Sequence, residues 1–199
     1  MPFLVLVRHG ESQWNLENRF TGWVDVPLSA KGVKEAKSAG KKIAGLKNLK
    51  IDKVYTTPLQ RANLTFRLAW DEMKDGRYPI FRYLDGDMKD WAHFCARADE
   101  SFIEVVVTSA FNERYYGDLQ GLNKEESKKK FGEEQVRLWR RSYDTAPPGG
   151  ESLKDTLKLV LPVFKSTVWK DLKAGKNILV SAHGNSLRAL VKYLDRVPD

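Results

Sequence analysis

The chain is predicted to fold as a three-layer α/β/α sandwich around a mostly parallel sheet. Short runs of strand-forming residues alternate with longer segments of helical periodicity along its 199 residues. The first run, FLVLV at 3–7, is apolar without a break, which is typical of a strand covered on both faces. Helices of the length found between the runs usually connect parallel strands, and the chain length fits one domain, 1–199, with its own core.

Four strands and four helices are predicted. The strands lie at 3–7, 53–56, 102–111 and 177–182, and the helices at 30–46, 58–73, 151–172 and 185–194. Ser29 is placed to cap the first helix. In TPLQ, Thr57 is predicted as the N-cap of the second helix, with Gln60 completing a capping box. Pro162 is expected to bend the third helix because it lacks an N–H to donate.

The helical periodicity also predicts which residues face the core. They are Val33, Ala36, Ala39, Gly40 and Ile43 in the first helix, Leu59, Ala62, Phe66, Ala69 and Trp70 in the second, and Leu153, Leu157, Leu161, Phe164 and Val168 in the third.

The composition is that of an ordinary globular protein. Hydrophobic residues make up 42% and charged residues 30%, and no apolar run approaches the roughly 20 residues that a membrane span needs. The N-terminal MPFLVLV has neither a basic region nor a small-residue cleavage site, so we expect a first strand there and no signal peptide. Cys95 is the single cysteine, which excludes an internal disulfide and favours a cytoplasmic protein.

The net charge of +8 favours a small anionic substrate over nucleic acid. Many lysines lie on a solvated helix face, as in KGVKEAKSAGKK at 31–42, and the sequence has no basic stripe with interleaved aromatics and no nucleic-acid-binding module. The remaining cations occur in short motifs, as Arg8, Arg61, Arg140, Arg141 and Arg188. Such a distribution is expected of a positive cleft that attracts a small, strongly charged anion.

Reactive residues follow each predicted strand. Arg8, His9 and Gly10 follow the first, Arg61 lies in the helix turn after the second, Glu113 follows the third, and His183 and Gly184 follow the last. Because ligands of open α/β sheets bind outside the carboxyl ends of the strands, we expect these residues to form one site.

This residue set suits phosphoryl transfer. A neutral His9 can act as nucleophile, while the two arginines hold the phosphoryl oxygens and His183 donates a hydrogen bond to them. Gly10 lets the backbone approach the imidazole, and a carbonyl that accepts from Nδ1–H leaves Nε2 to attack. Glu113 is predicted to be the general acid and base toward the substrate hydroxyl.

Two other kinds of site are less favoured. A metal site of two histidines and a glutamate would place a divalent cation beside two arginines, which repel it. A P-loop is excluded because no GxxxxGK[ST] motif occurs.

Five stretches of the chain form a specific set of motifs: LVLVRHGESQWNLENRFTGW, TTPLQRA, FNERYYGDLQGLNK, WRRSYD and SAHGNSLRALV. They closely resemble one family, the cofactor-dependent phosphoglycerate mutases of the histidine phosphatase superfamily, and the match covers most of 3–74 and 111–195. The resemblance implies a phosphoglycerate mutase-like fold. It also implies interconversion of 2- and 3-phosphoglycerate through a phosphohistidine, primed by 2,3-bisphosphoglycerate, with no metal ion.

The resemblance also assigns residues by position. His9 becomes the nucleophile, Glu113 the acid and base, and the phosphoryl pocket consists of Arg8, Asn15, Arg61, His183 and the backbone N–H of Gly184. The resemblance assigns the binding of the substrate carboxylate and distal phosphate to Ser12, Thr21, Gly22, Arg114, Tyr116, Lys124, Arg140, Arg141 and Asn185. Paired arginine forks and a lysine point charge suit a ligand with more negative charge than one pocket can neutralise.

Two regions depart from the family pattern. Segment 75–101 is longer than the usual connection and is expected to pack as a surface helix or to contact a partner subunit, which leaves a homo-oligomer open. The chain stops at Asp199, where relatives continue through a strand and a mobile tail, so we expect less mutase and more phosphatase turnover. Trp14, Trp23 and Trp139 are expected to pack, and His93 and Cys95 to be structural.

Three alternatives share some of these features. A phosphatase and a bisphosphoglycerate synthase of the same superfamily would use the same pocket. A basic binding or scaffold protein without activity is the non-enzyme alternative, and the complete set of phosphoryl-binding residues counts against it.

Overall fold

The computed structural model describes residues 1–91 and 100–198, and it contains a five-stranded sheet. The strands are β1 (Leu4–Arg8), β2 (Lys53–Thr56), β3 (Tyr78–Tyr83), β4 (Phe102–Val107) and β5 (Ile178–Ala182). Their order is β1-β5-β2-β4-β3, and every pairing is parallel. The predicted fold class is confirmed, and the sheet is wholly parallel in place of mostly parallel.

The helices cover both faces of this sheet and the ends of its strands. They are α1 (Gln13–Leu16), α2 (Ala30–Ala44), α3 (Gln60–Met73), α4 (Met88–Trp91), α5 (Lys124–Phe131), α6 (Glu133–Arg141), α7 (Leu153–Val163), α8 (Trp169–Lys173) and α9 (Gly184–Leu194). A π-helical turn (Phe164–Val168) joins α7 to α8, and short 3₁₀ turns occupy Ser109–Phe111 and Gly117–Leu119. Each described helix is too short or too polar to span a bilayer.

Strand β5 is apolar at four of its five positions, and its one polar residue, Ser181, is buried with its hydroxyl donating to the Ala62 carbonyl oxygen at 2.9 Å. Ile178, Val180 and Ala182 pack with Phe164 of the π turn and Leu190 of α9 on one face. Leu179 faces the opposite side and packs with residues of α2 and α3. A strand buried on both faces needs apolar side chains at odd and even positions alike.

A third, smaller cluster holds α6 near the carboxyl ends of the strands. Phe20, Leu119, Val136 and Trp139 are all buried in it, with Tyr116 packed against them. This cluster brings α6 to the end of the sheet where the reactive residues were predicted, and α5 packs against α6 through Phe131, whose ring lies 5.5 Å from that of Trp139. The expected packing role of Trp139 is confirmed.

Segment 75–101 contains an unpredicted strand. β3 pairs with β4 from Tyr78 to Tyr83, and the four-residue α4 follows it. Pro79 weakens the strand signal in YPIFRY, but β3 lies at the sheet edge, where a missing N–H costs least. The expected surface helix is therefore wrong for 78–83, while His93 and Cys95 lie outside the described residues.

The predicted cap of α3 is wrong. The helix begins at Gln60, its N-cap is Leu59, and no side chain of the cap residue accepts a hydrogen bond. Thr57 instead has its Oγ1 2.9 Å from Nε2 of His183. Asp25, from a loop distant in sequence, accepts the Gln60 N–H at 2.7 Å and so replaces the local cap.

The other predicted boundaries need smaller corrections. The third strand ends at Val107, four residues early, because a 3₁₀ turn follows it. The predicted 151–172 helix is divided into α7, the π turn and α8, and the departure from α geometry begins two residues after Pro162. Val160 is buried in α7, whereas Leu157 and Leu161 are only partly buried. Val33 and Ala39 of α2 are likewise only partly buried; the remaining residues expected to face the core are buried.

Candidate active site

One cavity of about 420 Å³ lies where β1 and α9 meet α5 and α6. Its lining comprises Arg8, His9, Asn15, Arg19, Phe20, Thr21, Gly22, Arg61, Glu113, Tyr116, Lys124, Arg140, Arg141, Gly184, Asn185 and Arg188. Residues from all four predicted motifs therefore meet at the carboxyl end of the sheet. Among the predicted site residues, Ser12, Arg114 and His183 do not line this cavity.

His9 follows β1 and is held by a short network of backbone and side-chain contacts. Its Nδ1 lies 2.7 Å from the carbonyl oxygen of Gly10, which can only accept, so Nδ1 carries the proton. The Gly10 N–H donates to Thr65 at 3.1 Å. Burial of the ring, and next the positive charge of Arg61, lower the pKa of His9 to about 4. The imidazole is therefore neutral near pH 7, with Nε2 as the unprotonated nitrogen.

Gly10 is required for a different contact from the one expected. A Cβ at this position would lie 2.3 Å from the carbonyl oxygen of Gly32, at the start of α2. Two glycines thus allow the backbone after β1 to touch the first turn of α2, and this contact positions the loop that carries His9.

His183 lies directly behind His9. The two ring centroids are 5.1 Å apart, and the His183 ring is fully buried. Burial is the main cause that holds the pKa of His183 well below its usual value, and the charge of Arg61 acts in the same direction. Its Nε2 pairs with Thr57, while Nδ1 has no hydrogen-bond partner within the described ranges.

Arg61 is buried, and its guanidinium donates hydrogen bonds to backbone carbonyls of a loop. Its Nη2 donates to the Gly22 oxygen at 2.7 Å and its Nη1 to the Val24 oxygen at 2.9 Å. No partner in the described part of the chain accepts from its Nε. Arg8 lies across the cavity, close enough to α9 that a Cβ on Gly184 would be 3.3 Å from its Nε.

The two carboxylate oxygens of Glu113 have different surroundings. Oε1 accepts from the Arg114 N–H at 2.8 Å, from the Asn185 backbone N–H at 3.2 Å and from Asn185 Nδ2 at 2.8 Å. Oε2 faces Gly184, whose ideal Cβ position is 3.7 Å away. One oxygen therefore anchors the carboxylate, and the other is left to exchange a proton with a ligand.

His9, Glu113 and His183 have the residue types of a metal site. One potential ligand atom from each lies within 4.8 Å of the others. The positive charges of Arg61 and Arg8 act on His9 and lower its pKa, and the same field opposes a divalent cation. The surroundings of the three residues thus favour an anion.

The far wall of the cavity is cationic. Lys124 begins α5, and Arg140 and Arg141 end α6. Burial, followed by the charges of Arg140 and Arg8, lowers the pKa of Lys124 to about 8. Lys124 is therefore mostly charged at pH 7 but easily deprotonated above pH 8.

Two predicted binding residues have structural contacts instead of a place on the wall. Ser12 caps α1 in a reciprocal capping box with Asn15, and the serine is fully buried. Arg114 is also fully buried, with Nη2 3.1 Å from the Tyr116 hydroxyl and its guanidinium 4.7 Å from that ring. The prediction missed Arg19 and Phe20, and it placed Arg188 in a positive cleft without assigning it to the site. Arg188 was among the noted cations, and its place one helical turn after Gly184 could have indicated its role.

Comparisons with known proteins identify the family to which this fold belongs. The family model described as Histidine phosphatase superfamily (branch 1) matches residues 4–81 and 89–199. The fold and the site thus define the class, and the chain belongs to the histidine phosphatase superfamily.

Two relatives have a higher sequence identity to this chain than the solved structures do, and they share one printed name. A 2,3-bisphosphoglycerate-dependent phosphoglycerate mutase of Protochlamydia amoebophila is 48% identical over 197 residues, which cover 98% of this chain and 86% of the relative. A protein of the same name from Methanococcus vannielii is 48% identical over 197 residues, which cover 99% of this chain and 83% of the relative.

Solved structures show the same fold at greater distance. "Mycobacterial hydrolase 1" aligns with a TM-score of 0.74 at 22% identity, covering 98% of this chain and 79% of the other. A mycobacterial glucosyl-3-phosphoglycerate phosphatase in complex with VO3 aligns with a TM-score of 0.73 at 24% identity, covering 98% and 82%.

Proposed function

We propose that this protein is a 2,3-bisphosphoglycerate-dependent phosphoglycerate mutase that interconverts 2- and 3-phosphoglycerate through a phosphohistidine on His9. The observation that supports this most is the neutral imidazole of His9, whose Nδ1–H is held by a carbonyl. It lies in a cavity whose charged groups are nearly all cations. The names of the relatives point to the same reaction.

The charge of the cavity suits a bisphosphorylated acid. Seven cationic side chains line it, against the single carboxylate of Glu113. Arg19 pairs with Glu17, and none of the other six has a carboxylate within salt-bridge distance among the described residues. Unpaired cations around a volume of about 420 Å³ fit a three-carbon ligand with several negative charges.

The first half-reaction phosphorylates the histidine. When bound, 2,3-bisphosphoglycerate supplies the priming phosphoryl group. Nε2 of His9 forms a bond to phosphorus while the ester P–O bond breaks, and the electron pair of that bond stays on the leaving oxygen. Glu113 enters this step with a proton on Oε2 and gives it to that oxygen, while Arg8 and Arg61 hold the phosphoryl oxygens on which charge accumulates.

The second half-reaction reverses these roles. The substrate hydroxyl gives its proton to Glu113 as its oxygen bonds to phosphorus, and the N–P bond to His9 breaks. Because Oε1 has three N–H donors, the carboxylate keeps its orientation while Oε2 loses and regains the proton. Lys124, Arg140 and Arg141 would hold the carboxylate and the distal phosphate in either orientation of the bisphosphate.

The proposal includes three further expectations. The reaction needs no metal ion, because His9, Glu113 and the arginines supply every group used above. The location is cytoplasmic, as befits a glycolytic substrate and a chain with one cysteine. A homo-oligomer would leave the mechanism unchanged, since every named group belongs to one chain.

Labelling with 2,3-bisphosphoglycerate carrying ³²P tests the proposal. The wild-type protein should gain an acid-labile, base-stable label in the presence of a chelator and should convert 3- to 2-phosphoglycerate. His9→Ala should gain no label, while Arg137→Ala, which changes an exposed arginine of α6 outside the cavity, should behave as wild type. Label that persists in His9→Ala, or survives acid as a phosphoserine would, contradicts the proposal.

Glu113→Gln separates acid–base chemistry from binding. The amide keeps the shape of the side chain but cannot transfer the proton, so turnover should fall about 100-fold or more. Vanadate should still bind. Normal turnover in this variant would assign the proton transfer to another group.

A further inference from the structure

We infer that Trp23 is a positioning residue for the acid–base step, an inference that rests on the proposed function. Trp23 was expected to pack, and its ring does contact that of Tyr115, but the residue is 41% exposed. Its indole Nε1–H donates to the backbone carbonyl of Glu113 at 2.5 Å. This contact joins the loop before α2 directly to the residue that would transfer the proton.

The neighbours of Trp23 hold the opposite side of the site. The carbonyl oxygens of Gly22 and Val24 accept hydrogen bonds from the two terminal nitrogens of Arg61, at 2.7 and 2.9 Å. Three consecutive residues, 22–24, therefore contact both Glu113 and Arg61. We call them the 22–24 bridge.

Several contacts restrain the 22–24 bridge, so it can fix the positions of Glu113 and Arg61 relative to each other. The Trp23 backbone N–H donates to Gln120 Oε1 at 2.8 Å, and the indole meets the Tyr115 ring edge-on at 5.5 Å. Gly22 has a φ of +56°, and a Cβ there would lie 2.2 Å from the same Gln120 oxygen. The bridge is thus restrained at its backbone, at its side chain and at its glycine.

The bridge sets the spacing between two groups with different tasks. Arg61 holds the phosphoryl group near His9, and Glu113 must bring Oε2 to the ester oxygen of the same ligand. Proton transfer depends steeply on this distance, whereas the charge attraction of the arginine does not. Loss of the indole N–H should therefore harm proton transfer more than phosphoryl binding.

The test compares two phosphoryl donors in Trp23→Phe. Phenylalanine keeps an aromatic ring but removes the donor. With 2,3-bisphosphoglycerate, the single-turnover rate of His9 phosphorylation should fall about 10-fold, because its alkoxide needs a proton to leave. With p-nitrophenyl phosphate, whose nitrophenolate leaves without a proton, the rate should change by less than about 2-fold.

Two matched variants isolate the hydrogen bond. Trp169→Phe changes another tryptophan that is 41% exposed but lies outside the cavity, and it should match wild type with both donors. Tyr115→Phe keeps both the ring that Trp23 contacts and the indole donor, so its ratio of the two rates should also match wild type. The thermal midpoint of Trp23→Phe should stay within about 2 °C of wild type.

The outcomes distinguish this inference from the proposed function. Equal losses with both donors in Trp23→Phe, or the same selective loss in Trp169→Phe or Tyr115→Phe, would overturn the role of the indole N–H. A wild-type protein that gains no label on His9 would overturn the proposed function itself, whatever the variants show.

Discussion

Replacing His9 by asparagine should make the fold less sensitive to acid. Burial of the ring and the charge of Arg61 lower the pKa of His9 from 6.5 to about 4 in the folded protein. Between these two values the unfolded chain binds a proton that the folded protein refuses, so the free energy of unfolding falls as the pH falls. His9→Asn removes this contribution.

The structure gives the size of the effect. With a pKa of 6.5 unfolded and about 4 folded, His9 should cost the wild type about 2 kcal/mol between pH 7.5 and pH 5.0. His183 and the carboxylates also titrate, but they are present in both proteins and largely cancel. The wild type should therefore lose about 2 kcal/mol more than His9→Asn over this interval.

Urea unfolding at the two pH values measures this difference. The buffers should contain no phosphate, because an anion bound in the cavity would stabilise the folded protein. Asn15→Ala is the control, since Asn15 lines the same cavity and does not titrate. It should keep the wild-type pH dependence. If His9→Asn keeps it as well, His9 is not held neutral by its surroundings and the proposed nucleophile loses its physical basis.

Two further predictions concern Lys124 and Gly10. The pKa of Lys124 is lowered to about 8 by burial and then by Arg140, so kcat/KM should fall as the pH rises above 8 and this side chain loses its charge. Lys124→Arg keeps the charge and should remove that alkaline decline between pH 7 and 9.5; an unchanged decline would assign it to another group. Gly10→Ala should lower the free energy of unfolding by about 2 kcal/mol or more, because its Cβ would meet the Gly32 carbonyl oxygen at 2.3 Å. Gly45→Ala, whose nearest contact would be 3.4 Å, should change stability by less than about 1 kcal/mol in urea unfolding, and equal effects would refute the clash.

Local patterns were enough to predict four of the five strands and the reactive residues that follow them, whereas most other residues of the cavity wall were assigned by the family resemblance. FLVLV is apolar at every position and NILVSA at all but Asn177 and Ser181, because β1 and β5 lie in the sheet between helical layers. Such runs can be recognised without knowing the partner strands. The order of strand, reactive residue and helix then places His9 and Gly184 at one end of the sheet, since all parallel strands end on the same side.

Features that depend on contacts between distant segments could not be predicted in this way. β3 is an edge strand with a proline, so its pattern is weak and its pairing with β4 identifies it. The residues around Thr57 predict that it caps α3, but its hydroxyl pairs with His183, which is 126 positions away. Asp25 accepts the Gln60 N–H and caps the helix in its place. Any rule that uses only nearby residues misses such exchanges.

The chemistry of the site shows the same division for a physical reason. Residue types and their order along the chain indicate a histidine, a carboxylate and arginines at the strand ends, because those properties are local. The neutral state of His9, the Glu113 oxygen that accepts no hydrogen bond from the described residues, and the hydrogen bond from Trp23 to Glu113 each arise from burial or from groups remote in sequence. Desolvation and hydrogen-bond geometry are properties of the packed molecule, so they exist only once the folded chain has brought these groups together.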